Sequence, residues 1–349
     1  MVHSRRRPIS SAPAVHVASS EAVELLAGIW AFLDLDHRPT YEVGGAWFRG
    51  AAEALGRDAA RFGTFLGGSP LAWDHVIGIA AETPGGVDAL LERLGAMDPE
   101  ELRGTLLGVH DGILARSVQP HLLSAAATGD PDARRRVRRL TARHGASWQT
   151  ALRQLFEGDA AALRDELVRL VGAWREAVPD RAGERLAAEA TRAGQALGGG
   201  EPAAVAEALL GDVPLRIGPE TRDVLLVPSL VSRPFTLYVE HRERMTFLYP
   251  LPEAGDEPMR GRGRLVSMAR ALGDPMRVDL LGELRGGELT LRELMERTGW
   301  ARSTLRHHLD QLVDAGLIRR TPGYAGRYAL REEGSADLAE LLRRFLASG

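Results

Sequence analysis

Two short apolar runs at helical spacing stand back to back around Gly299, and beyond Gly316 the spacing changes from helical to alternating. Few folds accept that order. Thr290 followed by Glu293 has the capping-box spacing, so a helix is expected to start there, with Leu291, Leu294 and Met295 inward and Gly299 as its stop. Leu305, His308, Leu309 and Leu312 then fall at i, i+3, i+4 and i+7, the inward stripe of a second helix. Leu317-Ile318-Arg319-Arg320 and Arg327-Tyr328-Ala329-Leu330 flank Thr321-Pro322-Gly323-Tyr324-Ala325-Gly326, which reads as a hairpin. Two more helices are expected upstream, over residues 265–272 and from Gly273-Asp274-Pro275 through Arg285.

The order is that of a winged helix-turn-helix. It leaves Arg302, Ser303, Thr304, Arg306, His307 and Asp310 on the outer side of the second helix. Arg forks onto guanine O6 and N7 or onto phosphate, and Ser and His reach base edges or backbone oxygens, in a major groove that admits a helix. Arg306 leads as the base-reading residue. Arg319, Arg320, Tyr324 and Arg327 lie on or beside the hairpin, suited to phosphate or minor-groove contacts that fix register without reading sequence.

The stretches Ala271-Leu272-Gly273-Asp274-Pro275-Met276-Arg277, Glu293-Leu294-Met295 with Gly299, Ser303-Thr304-Leu305-Arg306-His307-His308-Leu309 and Ala315-Gly316-Leu317-Ile318 resemble, in order, the pattern of the ArsR type of transcriptional regulator. The resemblance covers about a fifth of the chain. It implies a homodimer on a two-fold operator, with the helix from Arg302 in the major groove and transcription switched by a signal. It also implies a dimer seam between residues 265–272 and the last helix, through Leu265, Met268, Leu338, Leu341, Leu342 and Phe345. Metal-sensing members carry a Cys pair where this chain has Leu289 to Leu294, or carboxylate and His ligands in the last helix. This chain has no Cys, and its residues 335–345 hold Asp337 and Glu340 but no His, so a thiolate site is excluded. Ala301 stands where a Ser often caps the recognition helix, which leaves the cap to Thr298 or to the turn.

All 44 basic residues are Arg, which excludes Schiff-base catalysis and a P-loop lysine. A high-GC genome explains that bias more simply than function does. The lack of Cys excludes disulfides, thiol nucleophiles and Cys-ligated zinc. The net charge of −3 divides into +4 for residues 260–349 and −7 for residues 1–259, so only the C-terminal part suits nucleic acid. A domain so modestly basic needs a dimer to collect enough phosphate contacts. No apolar run is long enough for a membrane span, and the Arg-containing start lacks the apolar segment of a secretory signal. A cytoplasmic protein is expected, with no cofactor, no metal and no membrane partner.

At 349 residues more than one domain is expected. The divisions read as a disordered tail (1–19), a helical domain for sensing or dimerisation (20–212), a small antiparallel sheet (213–251), a Pro- and Gly-rich linker (252–263), and the winged helix with a final helix (264–349). The fold class is therefore mostly α with a small antiparallel β-sheet, a multi-helix N-terminal domain preceding a C-terminal winged helix-turn-helix. Eight or more helices are expected in the long N-terminal part. The first starts at Ser19 or Ser20 and buries Leu25, Leu26, Ile29 and Leu33.

Several N-terminal features admit two readings. His110-Asp111 resembles a metal-phosphohydrolase doublet, but further ligands at suitable spacing do not assemble, and a helical His beside an acid is the simpler reading. Asp34-Leu35-Asp36-His37 is either a cation site or a solvated helix end. Arg134, Arg135, Arg136, Arg138 and Arg139 form either a solvated face or a contact for DNA or an acidic partner. Trp30, Trp47, Trp73, Trp148 and Trp174 are core, or line an apolar pocket where two or three converge. The leading function is a sequence-specific DNA-binding regulator, not an enzyme, acting as a repressor and responsive to a small-molecule effector or partner. The alternatives are a winged helix used for protein contact and an enzyme with a regulatory winged-helix tail.

Overall fold

The computed structural model describes residues 13–35, 37–109, 118–179, 182–210, 221–252, 265, 268–321, 327–331, 338–343 and 346. Twelve α-helices lie between Glu21 and Leu210 among the described residues. The first, α1 (Glu21–Leu33), starts at Ser20, whose hydroxyl accepts from the Val23 N–H at 3.3 Å. Its buried surface is wider than the expected stripe. Ala22, Val23, Ala27 and Ala31 are fully buried beside Leu26 and Ile29, so α1 is a central helix rather than a surface one. A Cβ on Gly28 would sit 3.1 Å from the Trp174 ring, which shows how closely the helices approach.

Trp174 takes Phe32 and Phe62 edge-on, with ring centroids 5.4 and 5.5 Å away. Trp73 and Trp148 are buried, and Trp30 and Trp47 pack half-buried on the same core. The tryptophans build the core.

Four strands form a sheet in the order β1 (Ala14–Val17), β2 (Asp223–Ser229), β4 (Arg244–Pro250), β3 (Leu237–His241). β1 and β4 both run parallel to β2, and only β3 is antiparallel to its neighbour β4. The sheet expected over 213–251 is thus mixed, and β1 arises from the stretch assigned to a disordered tail. The two differences have separate causes: a four-residue strand carries no local signal of a partner about two hundred residues away, and the parallel direction of β4 on β2 depends on the connection between them rather than on composition. Pro228 sits in an interior strand without costing a ladder bond. Pairing with β1 ends at Val17 and Leu226, so the side of β2 from which its N–H would point is already open.

Helices cover both faces of this sheet. Leu225, Val227, Val239 and Leu248 join the core built around α1, while Val224, Leu226, Met245 and Phe247 pack with Ala206 and Leu210 of a helix at Pro202–Leu210. Two-sided burial explains the nearly continuous apolar run of β2. The strands of 223–250 and the helices before them share one core. No helix among the described residues is long and apolar enough to cross a membrane.

The segment between β2 and β3 is pinned by two buried carboxylates. Glu24 accepts from the Leu230 and Val231 N–H groups at 3.0 Å each. Glu42 pairs with Arg233 at 2.7 Å, with each side chain only 6% exposed.

Residues 268–331 build a second core from Met268, Leu280, Leu294, Leu305, Leu309, Leu312 and Tyr328, among others. Residues 268–272 are helical, followed by helices at Pro275–Glu283, Leu291–Thr298 and Arg302–Asp314. A three-stranded antiparallel sheet orders β5 (Leu289–Thr290), β7 (Arg327–Leu330) and β6 (Ile318–Thr321). Of the expected linker, residues 253–263 lie outside the described residues, as do residues 322–326 of the hairpin connection.

Removing one partner of a buried ion pair strands the other in a poorly solvated site. Glu42→Ala is expected to lower stability by about 3 kcal/mol, read from the urea midpoint. An unchanged midpoint would show that the pair contributes no more than an exposed one.

Candidate nucleic-acid interface

The expected capping box is present. The Thr290 hydroxyl accepts from the Glu293 N–H at 3.2 Å, and the Glu293 carboxylate accepts from the Thr290 N–H at 2.7 Å. Those bonds to Thr290 hold the Glu293 carboxyl below its ordinary range, with help from the charges of Arg327 and Arg297. The helix ends at Gly299, which adopts φ 71° and donates to the Met295 carbonyl. Glycine enters that left-handed region without the steric cost of a side chain.

The recognition helix, Arg302–Asp314, has no side-chain cap at Ala301. Thr298 does not supply one: its hydroxyl donates to the Leu294 carbonyl and accepts from the Trp300 N–H, so it stiffens the turn instead. The helix closes with a Schellman motif. Leu317 N–H reaches the Leu312 carbonyl, Gly316 N–H reaches that of Val313, and Gly316 takes φ 68°. This turns the chain into β6.

Leu305, Leu309 and Leu312 are fully buried, with His308 at 8% exposure, as the stripe predicts. That burial leaves Arg302, Ser303, Arg306 and His307 exposed, with Thr304 half-buried between them. Among the described residues neither Arg302 nor Arg306 has a carboxylate partner. The hairpin arginines are placed differently. Arg319 lies 3.5 Å from Glu288, and Arg327 donates to the Glu288 carbonyl at 3.0 Å and sits 3.9 Å from Glu293. Arg320 stands opposite Tyr328 in the ladder, and Tyr324 lies outside the described residues.

A family model described as a helix-turn-helix domain matches residues 272–321. The chain is 39% identical over 75 residues to a Streptomyces lividans protein described as "Probable mercury resistance operon repressor", covering 21% of this chain and 60% of the relative. It is 36% identical over 70 residues to the arsenical resistance operon repressor of Staphylococcus xylosus, covering 20% of this chain and 67% of that relative. The chain belongs to the ArsR type of winged-helix regulators. The chain spans 60% of the first of these relatives and 67% of the second, and most of this chain lies outside the matches.

The ArsR-type domain here contains two residues whose roles the sequence did not reveal. Arg277 donates through Nε to the Ala271 carbonyl at 2.6 Å, through Nη2 to that of Arg270 at 2.8 Å, and through Nη1 to Gln311 Oε1. Gln311 Nε2 in turn lies 3.1 Å from His307 Nε2. The i, i+4 spacing of His307 and Gln311 was a readable signal; the approach of Arg277 from another helix was not.

The residues assigned to a dimer seam divide. Met268 is fully buried within the winged-helix core, Leu338 and Leu341 pack half-buried against it, and Leu265 is half-buried. Leu342 is 46% exposed, as is Leu346 at 70%, while Phe345 lies outside the described residues.

The N-terminal candidates resolve into local contacts where they are described. His37 Nδ1 is 2.8 Å from Asp34, which also accepts from the Tyr41 hydroxyl, an arrangement that ties down the end of α1. Asp36 and His110-Asp111 lie outside the described residues. In the basic run, Arg138 pairs with Glu157 at 2.7 Å, and Arg134 donates to the Ala126 carbonyl and lies over the Phe156 ring. Two buried ionisable groups, Asp74 and His75, were not anticipated. Burial pushes the Asp74 carboxyl well up, and burial with nearby His241 brings the His75 imidazole down to about 4. Among the described residues no group of three or more His, Asp or Glu side chains converges to hold a metal.

Thr290→Ala removes the hydroxyl half of the capping box. It is expected to cost about 1 kcal/mol, measured by denaturant unfolding of the full chain. A change within experimental error would mean that Glu293 alone secures the helix start.

Proposed function

We propose that this protein is a sequence-specific DNA-binding transcriptional regulator that binds a two-fold operator as a homodimer. The observation that carries the reading is the exposed pair Arg302 and Arg306, without carboxylate partners among the described residues, on a helix whose opposite face is locked into the domain core. An Arg held outward on a major-groove helix is the commonest reader of guanine. In this reading Arg319 and Arg327 of the hairpin contact phosphate. Repression is the proposed direction, in keeping with the two relatives described as operon repressors.

The proposed signal, a small molecule or a partner, acts through the large N-terminal body. A soft-metal signal bound through thiolates is closed to this chain, which has no Cys. Binding to the DNA upstream of its own gene, followed by fluorescence anisotropy at two salt concentrations, tests the reading. Arg306→Ala should weaken that binding by roughly 1–3 kcal/mol and relax preference at one base position. Failure of the wild-type chain to bind any duplex would favour the use of the winged helix for protein contact.

The proposed dimer uses the exposed leucines of the last helix. Leu342→Asp is expected to convert dimers to monomers in sedimentation, with little effect on folding because the side chain is already half exposed. An unchanged mass would remove this helix from the interface.

A further inference from the structure

We infer that Arg277 and Gln311 act as a relay that fixes the tautomer of His307, so that the recognition helix presents an imidazole Nδ1–H donor to the nucleic acid. The inference rests on the DNA-binding reading for its consequence, but the relay itself is a property of the free protein.

Arg277 has donors only, so the Gln311 atom that meets its Nη1 is the amide oxygen. A glutamine amide is ordinarily ambiguous between oxygen and nitrogen, and a fixed donor beside it removes that ambiguity. Arg277 is itself held by the Ala271 and Arg270 carbonyls, and its side chain is only 12% exposed, so the oxygen end of Gln311 is anchored to the body of the domain. The NH2 end then faces His307 Nε2 at 3.1 Å. An amide NH2 group only donates, and therefore Nε2 must offer its lone pair. The ring proton of neutral His307 is thereby assigned to Nδ1.

Without the relay, an exposed His307 would choose its tautomer according to whatever it met. With the relay, the choice is made before DNA arrives. The ring is set to donate to an acceptor, either a phosphate oxygen or a major-groove base acceptor (purine N7, guanine O6 or thymine O4), and is mismatched to the amino groups of adenine and cytosine. Arg277 and Gln311 are positioning residues; neither is assigned a contact with DNA.

The ring nitrogens of His307 in the full-length free protein, observed by 15N NMR above the imidazole's titration range, test the relay. Wild-type protein should show the Nδ1–H form. In Gln311→Glu the carboxylate still accepts from Arg277 but now needs a donor from His307, so the proton should move to Nε2. Gln311→Leu should release the ring to a mixture of tautomers. An Nε2–H ring in the wild type, or an Nδ1–H ring unchanged in Gln311→Glu, would overturn the relay whatever the DNA result.

Anisotropy with the upstream duplex and with a random duplex reads the consequence. Gln311→Leu, which releases the ring without adding a charge, should weaken binding roughly two- to tenfold, the span of one hydrogen bond. Equal loss on both duplexes identifies a phosphate acceptor, and loss confined to the upstream duplex identifies a base edge. If Arg306→Ala leaves binding intact while the tautomer behaves as stated, the DNA reading of this helix fails and the relay stands.

Discussion

Burial of one face of the recognition helix determines what the C-terminal domain can do. With Leu305, Leu309 and Leu312 fully inside, the rotation of the helix about its own axis is fixed, and a change of one position would drive Arg306 or His307 into the core. Each buried leucine contributes on the order of 2 kcal/mol of transfer free energy, far more than any single exposed polar contact returns. The outward set is therefore a consequence of packing rather than of attraction to DNA. The termini refine this arrangement: the turn at Thr298 to Trp300 sets where the helix begins, and the Schellman motif at Gly316 sends the chain into β6 beside it.

The N-terminal body depends on contacts of the opposite kind, distant in sequence and hidden from local reading. β1 meets β2 across the whole helical region, and Glu24 on α1 holds backbone N–H groups at Leu230 and Val231. An acceptor buried this way is expensive to leave unmatched, so folding of the first helix and of the segment before β3 are linked. Helices on both faces of the sheet then make one cooperative unit of the helical and strand regions.

This contrast accounts for what the sequence made legible. The winged-helix elements were readable because their signals are local: a capping box four residues long, glycines where the backbone goes left-handed, and apolar stripes at fixed spacing. The three strands between Asp223 and Pro250 were readable from β-branched and aromatic runs, but the parallel pairing of β2 with β4 was not, since direction depends on a connection rather than on composition. β1 was invisible because Val15 and Val17 alone do not distinguish a strand from an extended tail. At the interface, the outward position of Arg302 and Arg306 followed from periodicity. The Arg277 relay did not, because helix Pro275–Glu283 approaches Gln311 only in the folded domain.

The two groups of arginines that face outward also differ in readiness. Arg302 and Arg306 have no carboxylate partner among the described residues, so on the proposed reading no ion pair with those residues has to break before they meet DNA. Arg319 and Arg327 are tethered beside Glu288 and Glu293, in pairs longer than 3.4 Å and largely solvated. Such solvated pairs are weak, weak enough to exchange for a phosphate, yet able to bias where the long side chains rest. The same acids repel a phosphate that approaches without displacing them. On the proposed reading, discrimination between bases is concentrated on the recognition helix, while the hairpin adjusts register and affinity through contacts that are easily made and easily lost.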